Sequence, residues 1–265
     1  MPDVDLRKEI IRLGPWHLDV QVTPEISTAV SLEAPDNAYD ESFGPVSFQT
    51  SGEQSWKYKL RQLYPGGLDG RSVLDCACNC GAYLFWAKDR GAGRCRGFDV
   101  REHWIEQARF LQRHRQGPNE DMEFEVMDLM DLPALGLEPF DITIFTGVLY
   151  HLADPIGGLQ IAAALTKELM FIDTATTANR PDDSFVLEEE AVEPLMSGVH
   201  GLAWRPSGPH VLRRVLAWSG FEHTHLVRWV KDEDGREGRL GMLAARRPEL
   251  LEPFTAPGDQ GTKIP

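Results

Sequence analysis

The sequence predicts an α/β protein built on a doubly wound, mostly parallel sheet, and three observations predict it. From Ser72 onward, strand-like runs alternate with helical ones. The run VLDCACNCGAYLF places an acid, Asp75, at the end of a buried strand, then a tight turn, then a helix start. That order makes the ligand crevice of an open α/β sheet. A second acid, Asp99, ends the next strand some two dozen positions later, close to where this architecture offers a carboxylate to ribose hydroxyls.

The elements follow in order. Residues 1–70 hold short, weakly periodic stretches rich in turn formers: GPWHLDVQVTPEIST, EAPDNAYDESFGP, then the more amphipathic SGEQSWKYKLRQLYP. They read as an N-terminal cap on the substrate side rather than a separate domain. The core, 71–248, begins with SVLDCA as a strand and AYLFWAKDRG as a helix. RCRGFDV, HWIEQARFLQRHR, EFEVMDL, DITIFTGV, DPIGGLQIAAALTK and ELMFIDTA continue the alternation. At about 178–209 the pattern is interrupted by a loop-like insertion, and loops of that length in compact domains are commonly lids or pocket walls. PHVLRRVLAWSG is a helix stopped by Gly220. FEHTHLVRWV and GRLGMLAAR then form an antiparallel hairpin across KDEDGRE, closing the sheet edge. Residues 249–265, rich in Pro and Gly, read as a mobile tail. The whole is a Rossmann-like single domain with a cap and a lid insertion.

Composition narrows the function. The chain of 265 residues, 42% hydrophobic and 26% charged, is long enough for one full core. No apolar run reaches the roughly 18 residues of a membrane span, and no secretory signal is visible at the start, so a soluble, cytoplasmic protein is expected. The net charge of −14 disfavours a phosphate backbone as partner, because such binding is driven by Lys and Arg. Cys76, Cys78 and Cys80 stand too close for ordinary bridges to one another and lack the paired spacing of a zinc site. Free thiols and no metal are expected there.

The turn after Asp75 distinguishes two cofactor classes. A dinucleotide fingerprint asks for small residues at 77, 79 and 82, whereas D-x-G-x-G-x-G asks for them at 77, 79 and 81. The residues present are Ala77, Asn79 and Gly81, a degenerate match to the second pattern. Asn is the non-glycine residue that best tolerates a left-handed backbone. Asp99 suits an unphosphorylated ribose, as in NAD or S-adenosylmethionine (SAM). Asp128, in EFEVMDL, is placed to accept the exocyclic amine of an adenine, or is a solvated loop acid.

On these segments the chain resembles the class I SAM-dependent methyltransferases. Within them it resembles the tRNA wobble-uridine modifying enzymes and their small-molecule relatives. The resemblance rests on VLDCACNCGAYLF, FDITIFTGVLYHLADPIGGL, PWHLDVQVTPEIST and WRPSGPHVLRRVLAWSGF, with G-V-L-Y-H-L-x-D-P the most specific part. Two glycines of the loop are missing, and the basic balance of a tRNA enzyme is absent. The resemblance implies SAM as cofactor, held by Asp75, Ala77, Cys78, Asn79 and Gly81 of the first turn. Asp99 and Val100 would serve from the second strand end, Asp128 and Leu129 from the third, and Thr146 and Gly147 from the fourth.

Methyl transfer from a sulfonium is an in-line displacement, so the protein mainly positions the acceptor and excludes water. A hydroxyl acceptor must also lose a proton, and His151, at the carboxyl end of DITIFTGVLY, is the first candidate to take it. The alternative is that Tyr150 and His151 only cap the next helix or orient SAM. The resemblance places Trp204, Arg205 and Ser207 near the acceptor and turns the segment of His17 toward substrate, with Trp16 and Tyr150 as walls; the alternatives are packing for Trp16 and a core or surface position for His17. Arg205 is suited to a carboxylate or phosphate. His200 and His210 are further bases without a spacing argument. Asp173 with Asp154, or the acids of LEEEAVE, offers oxygen ligands, but no spacing compels a metal. The expected activity is O-methylation of a sugar, glycoside or other natural product. The alternatives are a tRNA wobble-uridine enzyme, a non-catalytic SAM-binding partner module, and an NAD-linked oxidoreductase that the turn spacing disfavours. Oligomeric state has no signature in the sequence.

Overall fold

A computed structural model describes residues 3–29, 56–177, 183–231 and 237–254. The stretches EAPDNAYDESFGP and most of KDEDGRE lie outside the described residues, as does the chain from 255 on.

The elements in chain order are α1 (Asp3–Arg12), β1 (Gln21–Thr23), β2 (Ile26–Ser27), α2 (Trp56–Leu63), β3 (Val73–Cys76) and α3 (Ala82–Asp89). Then come β4 (Cys95–Asp99), α4 (Glu102–His114), β5 (Met122–Val126), β6 (Phe140–Thr146), α5 (Pro155–Ala164) and β7 (Thr166–Thr177). The chain closes with β8 (Phe185–Glu189), β9 (Leu202–Pro206), α6 (Pro209–Trp218), β10 (His223–Lys231) and β11 (Glu237–Ala245). The alternation from Ser72 is therefore present element by element.

The seven-stranded sheet has the order β10-β11-β7-β6-β3-β4-β5. Strands β5, β4, β3, β6 and β7 run parallel, while β11 is antiparallel to both its neighbours, β7 and the edge strand β10. The order reverses between β3 and β6, and in such sheets ligands bind outside the carboxyl ends of the strands at that point. All four residues of β3 are buried, as expected where both faces of a parallel sheet are covered. Alternation of side chains sends Val73 and Ile144 into one core and Leu74 and Phe145 into the other. The first core is shared with α3, α4 and the N-terminal segment, the second with α5 and α6.

Three features differ from expectation. The N-terminal cap is mainly a packing element: Leu6, Ile10, Leu13, Trp16 and Val22 are buried in the α3–α4 core. Gln107 of α4 donates to the carbonyls of Leu13 (2.7 Å) and Pro15 (2.8 Å), fixing that segment to the helix. The loop-like insertion contains a hairpin, with β8 and β9 paired from Phe185↔Pro206 to Glu189↔Leu202. Its acids masked the alternation of a short strand pair. The tail expected from Glu249 instead begins with a 3-10 turn, Pro248–Phe254, that buries Leu251 and Phe254 at 4% exposure each. Two apolar anchors outweigh the turn-forming composition around them.

Candidate active site

The turn after β3 is held by an unusual run of left-handed backbone. Ala77 (φ 58°), Asn79 (φ 51°) and Gly81 (φ 75°) all lie there. Asn79 adopts the conformation its side chain tolerates, and its Oδ1 accepts from the Cys80 amide at 2.8 Å. Ala77 has no such compensation, and a left-handed alanine costs about 1–2 kcal/mol. Gly81 has a second reason to be glycine, because a Cβ there would meet the Phe124 ring at 2.5 Å. Cys78 is buried, its amide donates to the Phe98 carbonyl (2.9 Å), and its sulfur fills the space above Gly97, where a Cβ would lie 2.8 Å from Sγ. Burial pushes the thiols of Cys76 and Cys78 up well above their usual range and that of Cys80 up to about 12, so these are packing groups.

Two buried acids face this turn. Asp75 is fully buried, and neither carboxyl oxygen has a hydrogen-bond partner among the described residues. Burial, reinforced by the nearby Asp99 charge, raises its pKa well above the carboxylate range. Asp99 accepts the amides of Asn79 (3.1 Å) and Arg101 (3.0 Å), one on each oxygen. Burial still pushes its pKa up to about 6, against these amides and Arg101. Val100 follows, 37% exposed. Asp128 lies beyond the end of β5, where its Oδ1 accepts from the Met130 amide (2.9 Å) and its Oδ2 meets His200 Nε2 at 3.1 Å. Leu129 is buried beside it.

Strand β6 ends at Thr146, and Gly147 (φ 72°) turns the chain into the 3-10 turn Leu149–His151. The following helix is capped by Asp154, whose Oδ1 accepts from the Gly157 amide at 2.9 Å. Tyr150 and His151 are thus free of the capping task. Their rings pack at 4.0 Å between centroids. His151 Nδ1 lies 2.9 Å from Glu190 Oε2, and the Gly198 amide sits between them, 3.1 Å from that oxygen and 3.0 Å from Nδ1. With Nδ1 carrying the proton, the Glu190 carboxylate accepts both donors. Nε2 is then the ring nitrogen without a partner among the described residues. Burial lowers the His151 pKa, Glu190 works against that, and Arg239 and Arg205 add to the lowering.

Beside this pair, Arg239 of β11 donates to Tyr150 Oη (3.0 Å) and to Asp173, and Arg228 of β10 donates to Asp173 at 2.7 Å. The carboxylate of Asp173, weighed above as a metal ligand, is engaged by two guanidiniums. The described residues contain no group of three or more His, Cys, Asp and Glu arranged for a metal. His17 has a buried Nδ1 without a partner among the described residues. Burial, then Arg239, lowers its pKa.

The remaining sequence candidates divide. Trp16 is 1% exposed, donates to the Ile10 carbonyl at 2.7 Å and packs on Phe110, which makes it part of the core. Trp204 and Arg205 lie on β9 of the hairpin. Arg205 pairs with Glu188 at 3.4 Å, and Trp204 Nε1 is buried without a partner among the described residues. Ser207 is buried, and its hydroxyl accepts from the Ser184 amide (3.2 Å), tying the hairpin base. Sequence reasoning missed Glu190 and Arg239. Glu190 is one acid in the run LEEEAVE, and Arg239 one basic residue on an edge strand, so neither carried a local signal.

The fold and crevice are those of a nucleotide-dependent group-transfer enzyme, and comparison with known proteins defines it further. Residues 68–198 match a family model described as a methyltransferase domain. The chain is 30% identical over 246 residues to a tRNA U34 carboxymethyltransferase of Campylobacter jejuni subsp. doylei, spanning 92% of this chain and 80% of that protein. Against proteins of the same name the matched stretch spans 64% of the one from Ectopseudomonas mendocina, at 29% identity, and 40% of the one from Campylobacter lari, at 30%. The chain therefore covers less than two thirds of the length of several of these relatives. In fold it is similar to the N-terminal domain of EvdMO1, solved in the presence of S-adenosylhomocysteine (SAH) and D-fucose. The TM-score is 0.70 at 16% identity, covering 93% of this chain and 98% of that one. The chain belongs to the class I SAM-dependent methyltransferases, in the branch that includes the tRNA U34 carboxymethyltransferases. SAM is its cofactor. No helix among the described residues is long and apolar enough to cross a membrane.

Proposed function

We propose that this protein methylates a hydroxyl of a small polar acceptor, such as a sugar, glycoside or related natural product, with His151 as the proton acceptor. The observation that carries this reading is the His151–Glu190 contact of 2.9 Å at the carboxyl end of β6. A carboxylate on Nδ1 leaves Nε2 as the basic nitrogen, the arrangement a general base needs. Burial keeps the imidazole neutral near pH 7 and so ready to accept a proton.

The residues of the first turn fit SAM. Asp75 offers an orphaned buried carboxyl, a group that is costly to bury without a partner and that a ligand ammonium, or a water bridging to it, satisfies. The positive-φ residues Ala77, Asn79 and Gly81 let ligand and backbone approach closely. Asp99 keeps lone pairs for ribose hydroxyls beyond its two amide bonds, with Val100 and Leu129 as apolar walls. Cys78 holds the turn to β4, Asp128 borders the adenine side, and Thr146 with Gly147 forms the rim toward the acceptor. When bound, SAM supplies an electrophilic methyl group on a sulfonium. His151 Nε2 would take the proton of the acceptor hydroxyl that this methyl replaces, leaving SAH as the spent donor. Tyr150, His17 and Trp204 wall the acceptor side, and Arg205 is available to an acidic group on it.

Two observations support a small acceptor: the net charge of −14 and the β8–β9 hairpin packed against the 3-10 turn that carries His151. The test is SAH formation from SAM with a panel that includes D-fucose, other sugars, glycosides and unmodified tRNA. Turnover on a small hydroxyl compound, lost in His151→Ala, is expected. Full turnover by that variant would refute the base assignment. SAH binding without product on any acceptor would favour a non-catalytic module.

A second reading, transfer to a wobble uridine of tRNA, is favoured by the relative named for that activity, matched over 92% of this chain. The guanidiniums of Arg228 and Arg239 beside Tyr150 also suit a carboxylate on the transferred group or a phosphate on the acceptor. This keeps tRNA among the acceptors despite the net charge. A salt-dependent tRNA gel shift, together with product on tRNA only, selects this reading.

A further inference from the structure

The segment between β8 and β9 runs across the carboxyl ends of four parallel strands. Arg101, after β4, donates to the carbonyls of Val192 (2.8 Å) and Ser197 (3.0 Å). Trp104 donates to the Leu195 carbonyl at 3.3 Å. Asn79, after β3, reaches Met196, and Asp128, after β5, meets His200 at 3.1 Å. His151, after β6, is the fifth group in contact, through Glu190 and Gly198. These five groups border the crevice where the cofactor sits. The segment bridges them without regular secondary structure, and 191–194 are exposed. Its base is firm, since Glu190 donates its amide to Gly201 beyond the last β8–β9 pair.

Gly198 is the point of closest approach. A Cβ there would meet Glu190 Oε2 at 2.8 Å and His151 Cβ and carbonyl oxygen at 2.9 Å. Only a residue without a side chain lets the segment settle on His151, and its amide then holds the Glu190 carboxylate against the imidazole.

We propose that 191–200 is a lid over the cofactor crevice, and that its closure, by seating Gly198 on Glu190, fixes the His151 tautomer. Capture of the cofactor and setting of the base are then one event. Glu190 is a positioning residue, since it acts through His151. The proposal rests on His151 as the base, but its test needs no acceptor.

The probe is SAH, and the readouts are its dissociation rate by stopped flow and the His151 ring signals in nitrogen-15 NMR of the full chain, assigned with His151→Ala. In the parent with SAH, the Nδ1–H tautomer should dominate. Gly198→Ala should mix the tautomers and release SAH faster by about tenfold or more. Glu190→Gln should leave SAH release within about twofold but move the His151 titration to lower pH, because an anionic partner is lost while Arg205 and Arg239 stay. The other titratable side chains facing this pair are Tyr150, packed on His151, and His17, near Arg239. Should Gly198→Ala fail to fold, the double variant Arg101→Ala/His200→Ala opens the same lid from its other contacts, with the same result expected. The proposal is overturned if a folded lid variant keeps both the parent tautomer and the parent release rate, or if Glu190→Gln leaves the titration in place. Loss of the base assignment instead would show as full turnover by His151→Ala with these readouts intact.

Discussion

At His151 two opposing effects decide whether an imidazole accepts a proton at neutral pH. Burial and the cations Arg239 and Arg205 favour the neutral ring, and the Glu190 carboxylate favours the charged one. The net lowering means that turnover should fall only on the acid side, below the usual histidine range, as the ring becomes protonated. His151→Ala is expected to reduce kcat by about 10²–10⁴, with SAH affinity within about threefold of the parent. Steady-state kinetics and calorimetry check the pair. In its proposed role Asp99 behaves in the opposite sense, because its carboxyl must be ionised to accept two ribose hydroxyls. With a pKa of about 6, SAH affinity should weaken as pH falls from 7 to 5. Asp99→Asn should bind more weakly and show a flatter dependence in the same titration.

The cofactor turn is the element whose local energetics are most exposed to test. Ala77 at φ 58° carries strain that glycine does not, while glycine costs about 0.5–1 kcal/mol in unfolded-state entropy. Ala77→Gly should therefore stabilise the fold by about 0.5–1 kcal/mol in urea denaturation. Asn79→Ala loses both the tolerance of φ 51° and the bond to the Cys80 amide, and should destabilise by about 1–2 kcal/mol. Equal, near-zero effects at both positions would mean that the turn is not held in this conformation. The hairpin β8–β9 shows a different lesson about elements. Its residues alternate weakly, and only pairing with each other and packing of β9 on β7 and on the turn after β6 make them strands.

For the whole molecule, the two buried acids tie stability to cofactor binding. The folded Asp75 and Asp99 hold protons to higher pH than unfolded aspartates, so the folded state binds more protons between about pH 4 and 6. Their contribution to stability without ligand is fully present below the unfolded pKa and is lost as pH rises through the folded values. In the proposed site the ammonium and ribose hydroxyls of SAH meet these acids, so saturating SAH should raise Tm more at pH 7 than at pH 5. Thermal scans with and without SAH measure this, and Asp99→Asn should shrink the difference.

The sequence by itself determined the order of strands and helices, the place of the cofactor turn, and the two acids that face it. Those features are local: a period of two or of 3.6, a turn that demands left-handed residues at 79 and 81, and an acid at a strand end. It also indicated His151, because a motif of adjacent residues marks the end of β6. The partners that give His151 its setting were decided only by the tertiary structure. Glu190 lies 39 positions from His151, and Arg239 lies 66 from Asp173, each brought in by an element whose own pattern is weak. Trp16 and the N-terminal segment went to the core for the same reason. The apolar surface of α4 that buries them is made by the fold, and no spacing of a single segment encodes which neighbour a side chain will meet.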